Sequence, residues 1–356
     1  MRTLRKIQIK GFKSIASAEI ELRDLNVVIG ANGSGKSNLI GVFRLLERVL
    51  SRNLSVYVAG EPDRLLHHGR KVTPALSLQL TFEHYTYRIK LVPTLSGMQF
   101  EFEDIEHRGA HSADSSQFTG HLESQFDTIA NDHRQNLPKS AFAAIRGLSV
   151  HHFHDTTESA AVKGASDVHD NRFLRADAAN LAAYLYLLQE RHEVAFRQLE
   201  EHVRLIAPFF DRFVLAPSRL NEKKIKLEWK QKGSDAYFDA HSLSDGTLRF
   251  ICLATLLLQP TPPALILLDE PELGLHPYAI RILAEMLEAA SKRSQVLLAT
   301  QSVTLLNQVA PADVLVAENE HGATTFKRLD EAALERWLAD FSLGELWEKN
   351  VLGGRP

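Results

Sequence analysis

Apolar and polar residues alternate at the start of the chain. Leu4–Ile9 and Ala18–Leu22 place every second residue on an apolar face, the period of a half-buried strand. Leu25–Ile29, Ala264–Glu270 and Val296–Ala299 are more continuously apolar and read as buried strands. From Ala75 to Glu103 the runs LSLQLTF, YTYRIKLV and MQFEFED alternate again, with a turn at Thr94–Gly97, and predict a small antiparallel sheet. Spacings of three and four mark Asn38–Leu50 as a helix. They also mark Asn171–Ile206, where Leu181, Leu185, Leu188, Phe196, Leu199, Val203 and Ile206 share a face and Pro208 ends the run. Phe213–Leu215 and Ile225–Trp229 read as strands beside the basic NEKK segment, which is read as a solvated hairpin. Gly60–Gly69 is a turn-rich connection, Gly109–Lys139 a polar loop with a short helix, and Glu331–Phe341 a helix. Buried strands interleaved with helices define an α/β fold class.

Composition narrows the class without naming a role. The 356 residues suffice for one large domain or two smaller ones, and 44% hydrophobic with 24% charged residues is ordinary for a soluble globular chain. A formal net charge of -3 gives no global basic field, so contact with nucleic acid would need a local patch. The lone cysteine, Cys252, lies in an apolar helical run, cannot form an internal disulfide and suits a cytoplasmic protein. The first twenty residues show no signal-peptide pattern. The longest apolar run, Phe250–Leu258, is too short to cross a bilayer, so no membrane association is expected.

The most specific motif is GANGSGKSN, Gly30–Asn38, which fits G-x-x-x-x-G-K-[ST]. Glycines let backbone N–H groups turn inward on phosphate oxygens, Lys36 reaches the outer phosphates, and the Ser37 hydroxyl is placed to ligate Mg²⁺. Asn32, Gly33, Ser34, Gly35 and Asn38 complete the nucleotide-contacting stretch. A strand before it and a helix after it set a helix N-terminus against an anion. Further on, ALILLDE ends a buried strand in two acids. Asp269 is expected to orient the metal beside the phosphate loop, and Glu270 to polarise an attacking water. Ser244, Asp245 and Gly246 form a polar turn at the start of an apolar helix, a second anion-ready site. The strand Val296–Ala299 ends in Thr300, Gln301 and Ser302, where a polar side chain can sense a terminal phosphate. In HHFHD, His152 and His154 share one face of a strand while His151 points to the other, so a capped turn is the simpler reading than a metal site.

Taken in order, GANGSGKSN, LSDGT, LILLDEPELGLHP and LLATQS resemble the ATP-binding-cassette class of P-loop ATPases. The resemblance implies a mixed central sheet with helices, an antiparallel β subdomain and an inserted helical lobe. It implies ATP and Mg²⁺ as cofactors and a homodimer through ATP-bound heads. Ser244 and Gly246 of one protomer would then close over nucleotide held by the other, and Pro271–His276 would cross the interface. Gln301 stands where many members of the class have a histidine. It is retained as a candidate catalytic residue beside Lys36 and Glu270. The glutamine that usually couples the lobes has only Gln79 as a candidate.

The opening GFKSI resembles the heads of SMC and RecF-like ATPases, in which Lys13 and Ser14 would lie near the base or ribose. About two hundred residues separate Lys36 from Ser244. That is too many for a transport subunit, and the long coiled coil of SMC proteins is absent. RecF-like and OLD-like heads, and standalone bacterial ATPases of that group, fit best. OLD nucleases add a Toprim domain, for which the chain after Gln301 is too short, so no nuclease is expected here. The expected organisation is one ATPase head. Residues 1–165 carry the phosphate loop and antiparallel strands, 171–245 form the insertion leading to the signature, and 246–356 carry the acidic strand and the Gln301 strand. Expected partners are a second copy, double-stranded DNA in a repair or sensing role, or a separate effector protein if the ATPase is a switch in antiphage defence or regulation.

Overall fold

A computed structural model describes residues 4–95, 97–107, 118–131, 145 and 148–354. The hairpin β1 (Leu4–Phe12) and β2 (Ile15–Glu21) leads to β3 (Leu25–Ile29), the glycine-rich loop and helix α1 (Lys36–Leu50). Next come α2 (Leu54–Val58), β4 (Leu76–Phe82), β5 (Tyr85–Pro93), β6 (Met98–His107), α3 (Phe126–Asn131) and β7 (Leu148–His151). The middle of the chain holds β8 (Ser166–Asp167), α4 (Leu181–Arg191), α5 (Glu193–Ile206) and β9 (Phe210–Val214). It continues through β10 (Pro217–Ser218), β11 (Asn221–Ile225), β12 (Glu228–Gln231) and β13 (Tyr237–Asp239). The last third runs α6 (Asp245–Leu258), β14 (Leu265–Asp269), α7 (Pro277–Ser291), β15 (Gln295–Ala299) and α8 (Val303–Leu306). It ends with β16 (Val314–Glu320), β17 (Ala323–Arg328), α9 (Glu331–Leu338) and α10 (Leu343–Glu348).

Two sheets position the site. The six-stranded sheet runs β17-β16-β3-β15-β14-β7, parallel except where β17 turns back on β16. The antiparallel sheet runs β2-β1-β4-β5-β6. Alternation persists inside the fully buried strands. In β14, Leu265 and Leu267 join α1 and the antiparallel sheet in one core, while Ile266 and Leu268 join α6 and α7 in the other. A strand covered on both faces cannot show a polar alternate, hence the continuous apolar run in the sequence. Each such fully buried leucine contributes about 1.5–3 kcal/mol against exposure.

The Asp269 strand is separated from the phosphate-loop strand by one strand, since β15 lies between β14 and β3. The Gln301 tip therefore stands between the phosphate loop and the acidic pair.

The helix expected over Asn171–Ile206 begins only at Leu181 and breaks at His192 (φ -138°, ψ 52°). Asn180, fully buried, explains the late start. Its Nδ2 donates to the carbonyls of Asp170 and Phe173, and its Oδ1 accepts from the Arg175 N–H, wrapping a loop around it. Residues 166–239 also carry two three-stranded sheets, β10-β11-β8 and β13-β12-β9, beside the two helices. Much of the expected loop Gly109–Lys139 lies outside the described residues; within it, 118–131 includes α3. Among the described residues no helix is long and apolar enough to cross a membrane. Cys252 is buried in α6, and burial pushes its thiol up to about 12.

After β17 the chain folds back. Ser342 and Glu345 form a capping box that starts α10, and Trp347, fully buried, donates its indole N–H to the Gly354 carbonyl. The Gly354 N–H in turn donates to Glu318 Oε1 on β16, so the tail is pinned to the central sheet.

Candidate nucleotide site

The phosphate loop joins the end of β3 to α1, with Asn32 and Gly33 exposed at its tip and Ser34, Gly35 and Lys36 buried. Gly35 has φ 102°, and a Cβ there would overlap Thr324 Oγ1, so both backbone conformation and close approach demand glycine. Lys36 is 5% exposed, and its Nζ donates to the carbonyls of Gly30 (2.5 Å) and Ala31 (2.9 Å). Burial lowers its pKa, while the nearby carboxylates of Glu270, Asp269 and Glu272 work in the opposite direction. The ammonium is thus held at the loop by two neutral carbonyls, partners that an anion can replace. Ser37 is exposed at the first turn of α1.

Thr324 was invisible to sequence reasoning. It lies on β17, is 1% exposed, and its hydroxyl donates to the Ser34 carbonyl at 2.9 Å. That bond uses its only proton, so Ser14, 2.6 Å away, must be the donor to Thr324 Oγ1. Asn38 Nδ2 donates to Ser14 Oγ at 2.7 Å. A one-way chain, Asn38 to Ser14 to Thr324 to Ser34, therefore ties α1, the β1–β2 turn and β17 to the loop. Lys13, in the same turn with φ 48°, lies with its Nζ 5.5 Å from the Phe12 ring centroid; burial, followed by Arg44, lowers its pKa.

Asp269 ends β14. Burial raises its pKa, and Arg44 partly opposes that shift. Arg44, on α1, reaches Asp269 Oδ2 at 3.2 Å and His152 Nδ1 at 3.3 Å. Because the guanidinium can only donate, Nδ1 of His152 accepts. Burial, with Arg44 and His154 adding to it, lowers the His152 pKa to about 4, so the ring is neutral at physiological pH. Asp269 Oδ1 is buried without a hydrogen-bond partner. That orphaned oxygen and the exposed Ser37 hydroxyl are hard oxygen donors of the kind Mg²⁺ takes, so the residues fit the ion. Gln79 lies mid-strand in β4, opposite Gln8 and Arg88. The side chain that shares Arg44 with Asp269 at the tip of β7 is His152.

Glu270 follows with φ 44°, its N–H bonded to the Ala299 carbonyl, so the backbone turns sharply and separates the two acids. Gln301 Nε2 donates to Glu270 Oε1, bringing together two residues singled out from sequence. Glu272 is a third acid, missed in the sequence although it is only three residues past Asp269. It is 9% exposed and accepts from the Thr300 hydroxyl (2.5 Å) and the Gln301 N–H (3.2 Å); burial raises its pKa despite these bonds.

Ser244 caps α6, its Oγ accepting from the Thr247 N–H at 3.2 Å. A Cβ on Gly246 would sit 2.5 Å from the Gly274 carbonyl oxygen, so this glycine permits the 271–276 loop to lie against the signature turn. Arg249, one turn along α6, donates to the carbonyls of Phe153 (3.0 Å), His154 (3.0 Å) and Leu273. One guanidinium thus links the signature helix to the segment after β7 and to the loop after the acids. No hydrogen bond or ion pair among the described residues joins Ser244 or Gly246 to the phosphate loop of the same chain.

A phosphate loop, an acidic strand tip one strand away, the Gln301 tip between them and a capped signature helix stand on a mixed α/β fold of the SMC-head type. The fold agrees with solved SMC heads. The Smc head bound to the C-winged helix domain of ScpA matches with TM-score 0.62 and 16% identity, covering 93% of this chain and 99% of that one. A Pyrococcus furiosus Smc head with an extended coiled coil, bound to the C-terminal domain of ScpA, gives TM-score 0.59 and 14% identity over 96% and 99%. A Pyrococcus yayanosii Smc head with a coiled coil and joint gives 0.56 and 14% over 96% and 99%. No curated protein matches the sequence. Residues 25–307 match the family described as "AAA domain, putative AbiEii toxin, Type IV TA system", and the chain belongs to that family.

Proposed function

We propose that this chain is an ATPase that binds MgATP and dimerises head to head around it. The observation that carries the reading is the convergence of Lys36, Asp269, Glu270 and Gln301 on one rim of the central sheet. Lys36 and the loop N–H groups would hold the phosphates, and Ser37 with Asp269 Oδ1 would hold the metal. Mg²⁺ held there would offset the charge of the phosphates. Glu270 would accept a proton from the attacking water, and Gln301, bonded to Glu270, would orient that carboxylate rather than carry protons itself, since an amide does not titrate. Lys13 and Ser14 would flank the base or ribose. Ser244 and Gly246 would complete the site of a second copy.

The output we favour is DNA maintenance or DNA sensing in the cytoplasm, supported by the likeness to SMC heads. A second reading, an ATPase switch for a separate effector in antiphage defence or regulation, draws on the family description, which names a toxin and a toxin–antitoxin system. ATP turnover with and without linear double-stranded DNA, with Lys36→Ala as blank, separates them. DNA stimulation that disappears at high salt supports the first reading, because phosphate contacts release counterions. Turnover indifferent to DNA supports the second.

A further inference from the structure

The net charge of -3 hides one strongly basic stretch. Between Arg219 and Lys232 stand six Lys and Arg residues against two Glu, enough to attract an anion locally. The structure sets the first of them on a hairpin. The two-residue turn Arg219–Leu220 joins β10 to β11 and is closed by the Ser218–Asn221 pair. Every residue from Ser218 to Lys224 is exposed, and so are Lys226 and Lys232. Arg219, Lys223, Lys224, Lys226 and Lys232 enter no ion pair among the described residues. Asp167 on β8 pairs with Lys224 in the sheet, but its Oδ1 accepts from the His169 N–H.

The hairpin is held at its base and open at its tip. Ile225 is fully buried, and the Val168 N–H donates to the Lys223 carbonyl at 2.9 Å, so β11 is fixed against β8. At the tip, Leu220 is 100% exposed. A protein interface centres on an apolar core poor in charge, and Leu220 has no such surroundings in the hairpin. Arg219 precedes it, and Asn221, Glu222, Lys223 and Lys224 follow it, all exposed. A fixed two-stranded ribbon with unpaired cations and one apolar side chain at its apex suits a polyanion that has grooves and a stacked interior. Duplex DNA has all three: cations neutralise its phosphates, ribbons fit its grooves, and apolar wedges enter between base steps from the minor groove.

We propose that the β10–β11 hairpin is a duplex-DNA-binding element. Lys223, Lys224 and Lys226 hold backbone phosphates, while Arg219 and Leu220 enter the minor groove and Leu220 wedges open a base step. This rests on the DNA reading of the function, to which it adds the surface that DNA would use, and the experiment separates the two.

The test is binding of a fluorescent linear duplex, followed by anisotropy over a range of salt with and without MgATP. Combining Lys223→Gln, Lys224→Gln and Lys226→Gln is expected to make the plot of log affinity against log salt shallower by about 2.7, because each lost phosphate contact removes about 0.9. At about 0.15 M salt the same variant should bind on the order of a hundredfold more weakly. Leu220→Ala keeps the cations. It is expected to retain the salt slope, bind about tenfold more weakly and lose the bend that energy transfer between the duplex ends reports. ATP turnover without DNA should stay at the wild-type level in both variants, which shows that a loss of binding is not a loss of fold. If wild type binds the duplex and the triple variant matches it in slope and affinity, the hairpin is overturned while the DNA reading stands. A Leu220→Ala protein that binds and bends DNA like wild type overturns the wedge. If wild type ignores the duplex, the DNA reading fails and takes this proposal with it; binding of poly-glutamate through the same three lysines would then assign the patch to an acidic protein.

Discussion

Thr324 Oγ1 donates to the Ser34 carbonyl at 2.9 Å, bonding two residues 290 positions apart in the chain. The phosphate loop is thereby braced from β17, the strand that turns back at the edge of the central sheet. The brace is directional, since Thr324 spends its proton on the loop and accepts from Ser14, which accepts from Asn38. A loop held at Ser34 keeps its N–H groups aimed before nucleotide arrives, which lowers the ordering cost of binding.

Thr324→Val keeps the shape and removes the hydroxyl. It leaves the Ser34 carbonyl buried without its donor, a loss of about 1–1.5 kcal/mol or roughly tenfold in binding. The KM for ATP is expected to rise about five- to tenfold, with kcat changed less than about twofold, because the loss falls equally on ground and transition states. Thr324→Ser should restore the wild-type KM. Steady-state kinetics on the three proteins checks this, and an unchanged KM in Thr324→Val would remove the brace from the account.

Arg44 bears on metal binding through Asp269. Burial already pulls the Asp269 carboxyl upward, and Arg44 is the largest opposing influence. Removing it by Arg44→Met should raise that pKa further, so protons compete better with Mg²⁺. The Mg²⁺ concentration for half-maximal turnover is expected to rise several-fold, and more at pH 6 than at pH 8. A Mg²⁺ requirement that does not depend on pH in the variant would contradict this coupling.

Glu272 gives a stability prediction of opposite character. Its folded-state pKa lies above the ordinary 4.5, with burial as the main cause. A carboxyl raised in this way favours folding when protonated, and that contribution is lost as pH rises through the folded pKa. Glu272→Gln can still accept from Thr300 and Gln301 without placing a charge in the interior. The variant is expected to melt higher than wild type at pH 7.5, with the difference shrinking toward pH 4, where both side chains are neutral. Calorimetry at the two pH values decides; a variant less stable at pH 7.5 would mean that the charge itself holds the loop.

The legible parts of this protein were those whose physics is local. Gly30–Ser37 announces a phosphate loop because glycine, lysine and serine are each needed at fixed spacing. Leu265–Asp269 announces a buried strand because both faces are covered. Ser244 could be read as a helix cap from its neighbours alone. Thr324 and Arg44 carried no such signal, since each acquires meaning only from partners 290 and 225 residues away respectively. The start of α4 was misplaced because Asn180, an unremarkable residue in a helical period, uses its amide to organise a loop instead. The strand order that sets β15 between β14 and β3 was not legible, because it is a property of crossovers, which local periodicity does not encode.

The most direct test of the central claim is the mass of Glu270→Gln by light scattering, with and without saturating MgATP. Loss of the carboxylate that would accept the water proton, with Lys36, Ser37 and Asp269 intact, should let ATP bind without being consumed. The account predicts a monomer that becomes a stable dimer with ATP and stays monomeric when Lys36→Ala is added. A Glu270→Gln protein that binds ATP yet remains a monomer would contradict it.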